Sequence, residues 1–511
     1  MKRIAVAAGA VALLLSYPPF PLPFLSFFAV TPAVFLVRQS IQHANPRDAF
    51  RWGWWYGLAA NALVLYWMVV ALWHFTPLSA LGYLATIAVL GIATGGLFWF
   101  VTKLRLAAPA IPLAIVFPVA WTTLEWLIGH LGDVSFPWLG LGTSLADAPV
   151  LVQWADLAGA RGVTLWVVWC NVMIVETAMR EQGAGSRWRR WRPAAAVVAT
   201  IVVALGYGVW RMRTVPVRDV GVVALLQPNE GFRDKWDPGL KDSVFGKLVS
   251  MSRQSVARAR PGLLLWPEAA APDVFAWRPR WQAEVADLAR HSHTPILVGA
   301  IHAERDYRQG DPYFNATLLV DSTGEWRRQP VYAKHYLVPV TERVPFVPVR
   351  VFRAVPGLAR WSGGFSPGRT LPVYSVGLGR FGVLICYESA FEDFPRKYRA
   401  QGADFLVNVT NDAWFGRTNA PAQHASHLVL RAIETRMGVA RAANSGISQF
   451  VDPLGRAYLS TRLDTETTVE GVLRTSDVMT LYVRLGDWVG LLVVLATLGG
   501  IAFLVKRRFT P

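Results

Sequence analysis

Cysteine is almost missing from this chain. Cys170 and Cys386 are the only two in 511 residues, so no disulfide framework competes for either thiol. Clustered metal ligands are missing as well, and no glycine-rich phosphate loop is present. The run Gly-Leu-Gly at Gly140–Gly142 follows no strand and opens no helix of the required kind, so it makes a poor nucleotide fingerprint. No metal and no cofactor are expected. Acidic residues are scarce, 34 against 51 Lys and Arg, which gives a net charge of +17. No internal repeat or low-complexity tract stands out.

Apolar residues are abundant. They make up 53% of the chain, with 23 Trp, too much for a soluble protein of this length. Eight stretches are candidates to cross a bilayer. Ile4–Tyr17 and Phe24–Val37 are short for about 30 Å of hydrocarbon, and with Pro18, Pro19, Pro21 and Pro23 between them they read as a tight helical hairpin. The others are Gly53–Trp73, Leu78–Val101, Leu106–Leu127, Gly162–Met179, Pro193–Trp210 and Trp488–Val505. The first stretch, behind Lys2 and Arg3, also has the look of a signal peptide, but prolines and a second apolar stretch follow it instead of a small-x-small cleavage site.

The basic excess has an address. Alternate connections (Lys2 and Arg3; Arg38, Arg47 and Arg51; Lys103 and Arg105; Arg180 to Arg192; Lys506 to Arg508) hold 15 basic residues against Asp48 and Glu181. The other short connections hold Arg161 against Asp133, Asp147 and Asp156. By the positive-inside rule both termini are cytoplasmic, seven spans put the segment after Trp210 on the outer face, and the eighth returns. This placement uses up most of the charge and makes a nucleic-acid partner unnecessary. The tryptophans fit interfacial anchors or ordinary packing equally well.

The expected organisation is residues 1–210 as a seven-helix membrane region, 211–487 as an outer domain, and 488–511 as the last span with its tail. The outer segment alternates strand-like runs (Val220–Leu226, Leu263–Trp266, Ile296–Ile301, Ala316–Val320, Trp326–Tyr332, Phe381–Ile385, Phe405–Val409) with helical ones (Leu240–Ala259, Arg280–His291, His424–Ala443). This predicts an α/β domain whose reactive residues lie just past strand ends.

Three residues sit at such ends. Glu268 follows Leu-Leu-Leu-Trp-Pro, where desolvation would raise its pKa and make it a better base; it reads equally as a solvated loop acid. Lys334, in Val-Tyr-Ala-Lys-His-Tyr-Leu-Val-Pro, is a lone cation among apolar neighbours, suited to an oxyanion or to snorkelling. Cys386 ends Gly-Val-Leu-Ile-Cys and is a nucleophile or an inert core thiol, the reading that also suits Cys170 within a span. Together a thiol, a carboxylate and a cation are the parts of acyl transfer through a thioester.

The order Glu, Lys, Cys within Leu-Trp-Pro-Glu-Ala, Tyr-Ala-Lys-His-Tyr-Leu-Val-Pro and Gly-Val-Leu-Ile-Cys-Tyr-Glu-Ser resembles the nitrilase superfamily. That resemblance implies an αββα sandwich, with Glu268 as general base, Lys334 at the oxyanion, Cys386 as nucleophile and the Tyr387 amide assisting. With the membrane spans, Phe136–Gly140, Val338–Phe346 and Asn411–Gly416, essentially the whole chain is similar to the bacterial apolipoprotein N-acyltransferase family. The implied partners are a phospholipid acyl donor, such as phosphatidylethanolamine, and a diacylated apolipoprotein acceptor, in a multi-pass inner-membrane protein with a periplasmic catalytic domain. The working unit is expected to be a monomer.

Further residues follow from the same resemblance. Glu342 and Glu388 would orient Lys334 or its partners; a structural ion-pair network accounts for them equally. Trp236, Trp414 and Phe415 would line the lipid entrance, against plain aromatic packing. Glu125 and Glu176 near span ends are functional or simply solvated at the interface. Two other classes remain: a membrane-tethered nitrilase-type amidohydrolase, and a transporter or receptor with a degenerate outer domain.

Overall fold

The computed structural model describes residues 1–73, 79–179, 187–231, 234–303, 311–347 and 364–509. Leu78, Arg180 and Glu181, expected to flank spans, lie outside them.

Each apolar stretch is helical over most of its described length. Among the described residues, five helices are long and apolar enough to cross a membrane: Pro23–Gln42, Ala80–Ala107, Ala155–Ala178, Trp191–Thr214 and Trp488–Arg507. A sixth forms only if Pro46–Val64 and Trp67–Trp73, bent by 57°, count as one. Lys2–Ser16 has 15 residues and Leu113–Ile128 has 16, both short of a span. The second begins at Leu113, not Leu106, because Pro109 and Pro112 interrupt the run and Pro112 caps the helix.

Small residues bring the bundle helices close. Gly53 and Gly57 of Pro46–Val64 face Phe98, Thr94 and Gly91 of helix Ser79–Ala107, and Gly95 faces the Phe50 carbonyl, so a Cβ at Gly53 or Gly57 would collide. The bend after Val64 carries Trp67 out of that helix pair and onto Trp138, with ring centroids 4.9 Å apart.

The chain after the bundle builds two sheets. The first has the order β13–β1–β2–β4–β5–β6, with β3 on β4. Its strands are β1 (Arg218–Gln227), β2 (Leu263–Leu265), β3 (Ala271–Val274), β4 (Ile296–His302), β5 (Phe314–Val320), β6 (Tyr332–Ala333) and β13 (Thr467–Thr475). The second has the order β12–β11–β10–β9–β8–β7, from β7 (Tyr374–Val376), β8 (Gly379–Ile385), β9 (Phe405–Thr410), β10 (Gly438–Ala443), β11 (Gln449–Val451) and β12 (Ala457–Tyr458). Both keep parallel strands at the centre: β1, β2 and β4 in one, β8, β9 and β10 in the other.

The period-2 pattern assigns the faces. Val223, Leu225, Leu263, Leu265, Leu297 and Leu319 point to the layer shared with Val383, Ile385, Phe405 and Val407 of the second sheet. Their neighbours Ala224, Leu226, Leu264, Trp266, Val298 and Leu318 point the other way, onto helices Lys241–Ala259 and Pro279–Ser292. Helices Asp393–Ala400 and Ala420–Thr435 cover the second sheet, giving the αββα sandwich the resemblance implied.

Two expected elements differ. His424–Ala443 is not one helix. It ends at Thr435, Arg436 turns left-handed at φ 55°, and Gly438–Ala443 is strand β10. The strand expected over Trp326–Tyr332 pairs only from Tyr332, because Trp326 to Gln329 form a turn, closed by the Gln329 amide on the Trp326 carbonyl, and Pro330 has no amide to donate.

Charged contacts fasten sandwich to bundle. Gly159, at φ 67°, kinks helix Ala155–Ala178, and the neighbouring Ala160 amide donates to Glu434 at 2.7 Å. Asp156 binds Arg436 at 2.6 Å and Arg211 at 2.8 Å, and Arg161 lies between Glu125 and Glu392 at 3.4 and 3.2 Å.

Candidate active site

Every sequence-predicted reactive residue lies at the end of a strand on the same side of the sandwich. Cys386 follows β8 directly and takes a left-handed backbone, φ 53°, which turns the strand sharply into the 3-10 segment Cys386–Ala390. A non-glycine residue there carries strain of about 1–3 kcal/mol. Glu268 comes three residues after β2. A Cβ at Gly299 of β4 would collide with the Pro267 carbonyl and the Glu268 Cα, so that glycine gives the loop its room. Lys334 extends β6, its amide donating to the Asn315 carbonyl of β5 at 2.8 Å.

The side chains converge. Lys334 Nζ donates at 3.0 Å to Glu268 Oε1 and at 3.0 Å to Glu342 Oε1. Asn315 Nδ2 bridges the same two oxygens at 2.7 and 2.9 Å. Glu268 Oε2 accepts from the Asn411 amide at 2.9 Å, beyond β9, and Glu342 Oε2 accepts from the Val338 amide at 2.7 Å. All three charged groups are buried, Lys334 at 1% exposure.

This corrects the expected electrostatics of Glu268. Burial does oppose its charge, but Lys334, the Asn315 hydrogen bond and Lys235 outweigh it and hold the carboxyl below its ordinary value. Lys334 is pushed well above its ordinary value: burial alone would lower it, and Glu268 and Glu342 reverse that. Burial and the Glu268 charge drive the Cys386 thiol upward, against Lys334. The resting site therefore holds a carboxylate, an ammonium and a neutral thiol.

Glu388 does not reach Lys334. Its carboxylate accepts from the Tyr332 hydroxyl at 2.6 Å and the Ile385 amide at 2.7 Å, and from the His335 and Tyr336 amides at 2.7 and 3.3 Å. It thereby joins the Tyr332 side chain before Lys334 and the backbone after it to the strand that ends at Cys386. Burial raises its pKa to about 7, with those hydrogen bonds opposing. Tyr387 is the second residue of its 3-10 segment, so its amide has no intrahelical acceptor. Its hydroxyl donates to the Ser135 carbonyl in the bundle.

The aromatic candidates occupy different places. Phe415 packs between Trp67 and Trp138, at 5.1 and 5.9 Å, where the bundle meets the sandwich. Trp414 shares the 3-10 turn Asp412–Phe415. Trp236 is partly exposed on the turn Asp234–Trp236. A cavity of about 230 Å³ opens beside Tyr387, lined by Ser135, His335, Tyr336 and Phe391 among others. Of the two membrane acids, Glu176 pairs with Arg38 at 2.7 Å, and Glu125 accepts from Trp121, Thr164 and the Leu141 amide.

Sequence reasoning passed over three participants. Asn315 is a polar residue inside the apolar strand β5, a signal that was available. Lys235 stands beside Trp236 but is itself fully buried. The polar group of Asp412, Arg441 and His424, with Arg441 Nη2 to Asp412 at 2.8 Å and His424 Nδ1 to Asp412 at 2.9 Å, is assembled from the 3-10 turn after β9, from β10 and from a helix, so no local pattern announces it. Arg441 also binds Asn408, whose amide donates to the Leu384 and Cys386 carbonyls at 3.0 and 3.4 Å and supports the nucleophile's turn.

Two family models match this chain: Apolipoprotein N-acyltransferase N-terminal domain over residues 9–173, and Carbon-nitrogen hydrolase over residues 222–480. An apolipoprotein N-acyltransferase from Geobacter metallireducens is 33% identical over 492 residues, covering 95% of this chain and 91% of the relative. Relatives of the same name from Brucella melitensis and Bradyrhizobium diazoefficiens are 29% and 30% identical, each over 99% of this chain and 96% and 95% of their own lengths.

Proposed function

The chain belongs to the apolipoprotein N-acyltransferase family, and from that premise we propose that it moves a fatty acyl group from a phospholipid to the N-terminal amine of a diacylated lipoprotein, carried in between as a thioester on Cys386. It is an acyltransferase and a membrane protein. The observation that carries the mechanism is Lys334 held at 3.0 Å by both Glu268 and Glu342, beside a thiol in left-handed backbone that abuts the bundle through Tyr387.

In the first half-reaction Cys386 Sγ attacks the ester carbonyl and gives its proton to Glu268. Lys334 and the Tyr387 amide receive the developing oxyanion. The ester C–O bond breaks, Glu268 returns the proton to the leaving oxygen, and a lysophospholipid departs. In the second, the acceptor's α-amino group attacks the thioester. The C–S bond breaks, and Glu268 passes the amine proton to the sulfur. The carboxylate is ionised at rest because Lys334 and Asn315 hold it so, and burial keeps the resting thiol largely protonated. Water has to be kept from the thioester, which suits a nucleophile at 7% exposure.

The domain assignment goes with this reading: 1–210 as membrane region, 211–487 as catalytic domain, 488–511 as last helix and tail. The charge asymmetry of the connections supports a catalytic domain on the periplasmic side of the inner membrane, where the donor headgroup is expected to be phosphatidylethanolamine. Trp236, Trp414 and Phe415 are assigned to the lipid entrance, and a monomer suffices because one chain supplies every proposed group. The test is incubation of the purified protein with phosphatidylethanolamine and a diacylated lipopeptide, read by mass spectrometry. N-acylated peptide with lysophospholipid is expected. Free fatty acid with unmodified peptide would contradict the reading and point to a membrane-tethered amidohydrolase.

A further inference from the structure

Lys235 is a second buried lysine at the candidate site, and the mechanism above gives it no work. It is 1% exposed, on the turn Asp234–Trp236, and its Nζ donates to the main-chain carbonyl of Glu268 at 2.8 Å. That oxygen belongs to the residue assigned as base, so the lysine fixes the loop that carries it. Its charge acts on Glu268, Glu230 and Cys386. Burial is the largest influence on it and lowers its pKa to about 8, so it keeps most of its charge at neutral pH.

A charge count shows what it supplies. Lys334 is shared by two carboxylates, Glu268 and Glu342, and these three groups sum to one negative charge in a water-poor pocket. Moving the thiol proton to Glu268 leaves that total unchanged, with the negative charge now on sulfur and then on the oxyanion. An uncompensated buried charge is expensive. Adding Lys235 brings these groups and the thiol to a combined neutrality in every one of these states. Its hydrogen bond is made to a neutral carbonyl, so its charge is not already spent in a contact ion pair with the two carboxylates.

We propose that Lys235 is a positioning residue for the acyl-transfer reaction, a second cation that anchors the Glu268 loop and neutralises the pocket in which Cys386 ionises. This rests on Cys386 being the acyl carrier. The groups facing Cys386 are Glu268 and Asp412, which oppose its ionisation, and Lys334 and Lys235, which favour it; Asp412 is in turn held by Arg441 and His424.

The experiment uses full-length protein and follows alkylation of Cys386 by iodoacetamide as a function of pH, by mass spectrometry. Lys235→Gln keeps a donor for the Glu268 carbonyl and removes the charge; Lys235→Arg keeps the charge. The glutamine variant is expected to alkylate roughly tenfold more slowly near neutrality, with its profile displaced to higher pH by about one unit. The arginine variant should stay within about threefold of wild type, a difference of under one unit. Wild-type rates in the glutamine variant would overturn the proposal, as would equal losses in both variants at unchanged melting temperature. A Cys386 that never acquires an acyl group from phospholipid, in wild-type protein, would instead overturn the underlying assignment.

Discussion

Replacing Asn315 by alanine tests the account of Glu268 as a base kept ionised by its partners. Asn315 Nδ2 donates to Glu268 Oε1 at 2.7 Å and to Glu342 Oε1 at 2.9 Å, and both carboxylates are buried. A hydrogen bond to a charged group contributes about 1.5–3 kcal/mol. Losing the one on Glu268 therefore raises that carboxylate's proton affinity roughly ten- to hundredfold. The sign follows from the depressed folded-state pKa of Glu268. Its pairing stabilises the protein above the pKa of the unfolded chain, and that contribution is lost as pH falls through the folded-state value. Asn315→Ala removes part of that contribution, so its deficit is full at neutral pH and shrinks as pH falls. The acid limb of single-turnover acylation by phospholipid, measured by mass spectrometry, should move toward neutrality, and the melting deficit relative to wild type should be larger at neutral pH than in acid, where the carboxyl is protonated in both proteins. A folded variant whose acid limb stays in place, or moves to lower pH, would refute the reasoning.

Glu268→Gln removes the proton acceptor while keeping a hydrogen-bonding side chain, and should reduce acyl-enzyme formation by a factor of about 100 or more with little change in phospholipid binding; an acylation time course after mixing checks it. Gly299→Ala drives a methyl into the Pro267–Glu268 backbone, so melting should report a destabilisation of about 1–3 kcal/mol together with lost activity. Tyr332→Phe deletes the 2.6 Å hydrogen bond to Glu388 and should cost about 1–3 kcal/mol. Glu388 has a folded-state pKa raised to about 7, so it favours the folded protein at low pH and less so as pH rises to that value. The melting deficit of the Tyr332→Phe variant should therefore be larger at pH 8 than at pH 5.

Strand ends were the most legible part of the sequence. Apolar runs that stop at Trp-Pro-Glu and Ile-Cys do become strands, the run at Ala-Lys pairs over its last two residues, and the packing of two sheets brings those ends together. What was hidden depended on partners distant in the chain. The pKa of Glu268 was read with the wrong sign because desolvation is visible in an apolar run, whereas Lys334 and Asn315 arrive from elsewhere. Strand β10 was taken into the preceding helix because Val439, Ala440, Ala442 and Ala443 are buried on both faces and show no alternation. Helix bounds were less legible, because length and hydropathy do not reveal that Pro112 starts a helix late, or that the chain bends at Leu65 and Tyr66.

The central claim is that Cys386 carries the acyl group, and intact-protein mass spectrometry after exposure to phosphatidylethanolamine addresses it directly. The account predicts one acyl mass on the wild-type chain, none on Cys386→Ala, and discharge of that mass when a diacylglyceryl peptide is added. An acyl mass that persists on Cys386→Ala, or an N-acylated peptide formed by that variant, would contradict it.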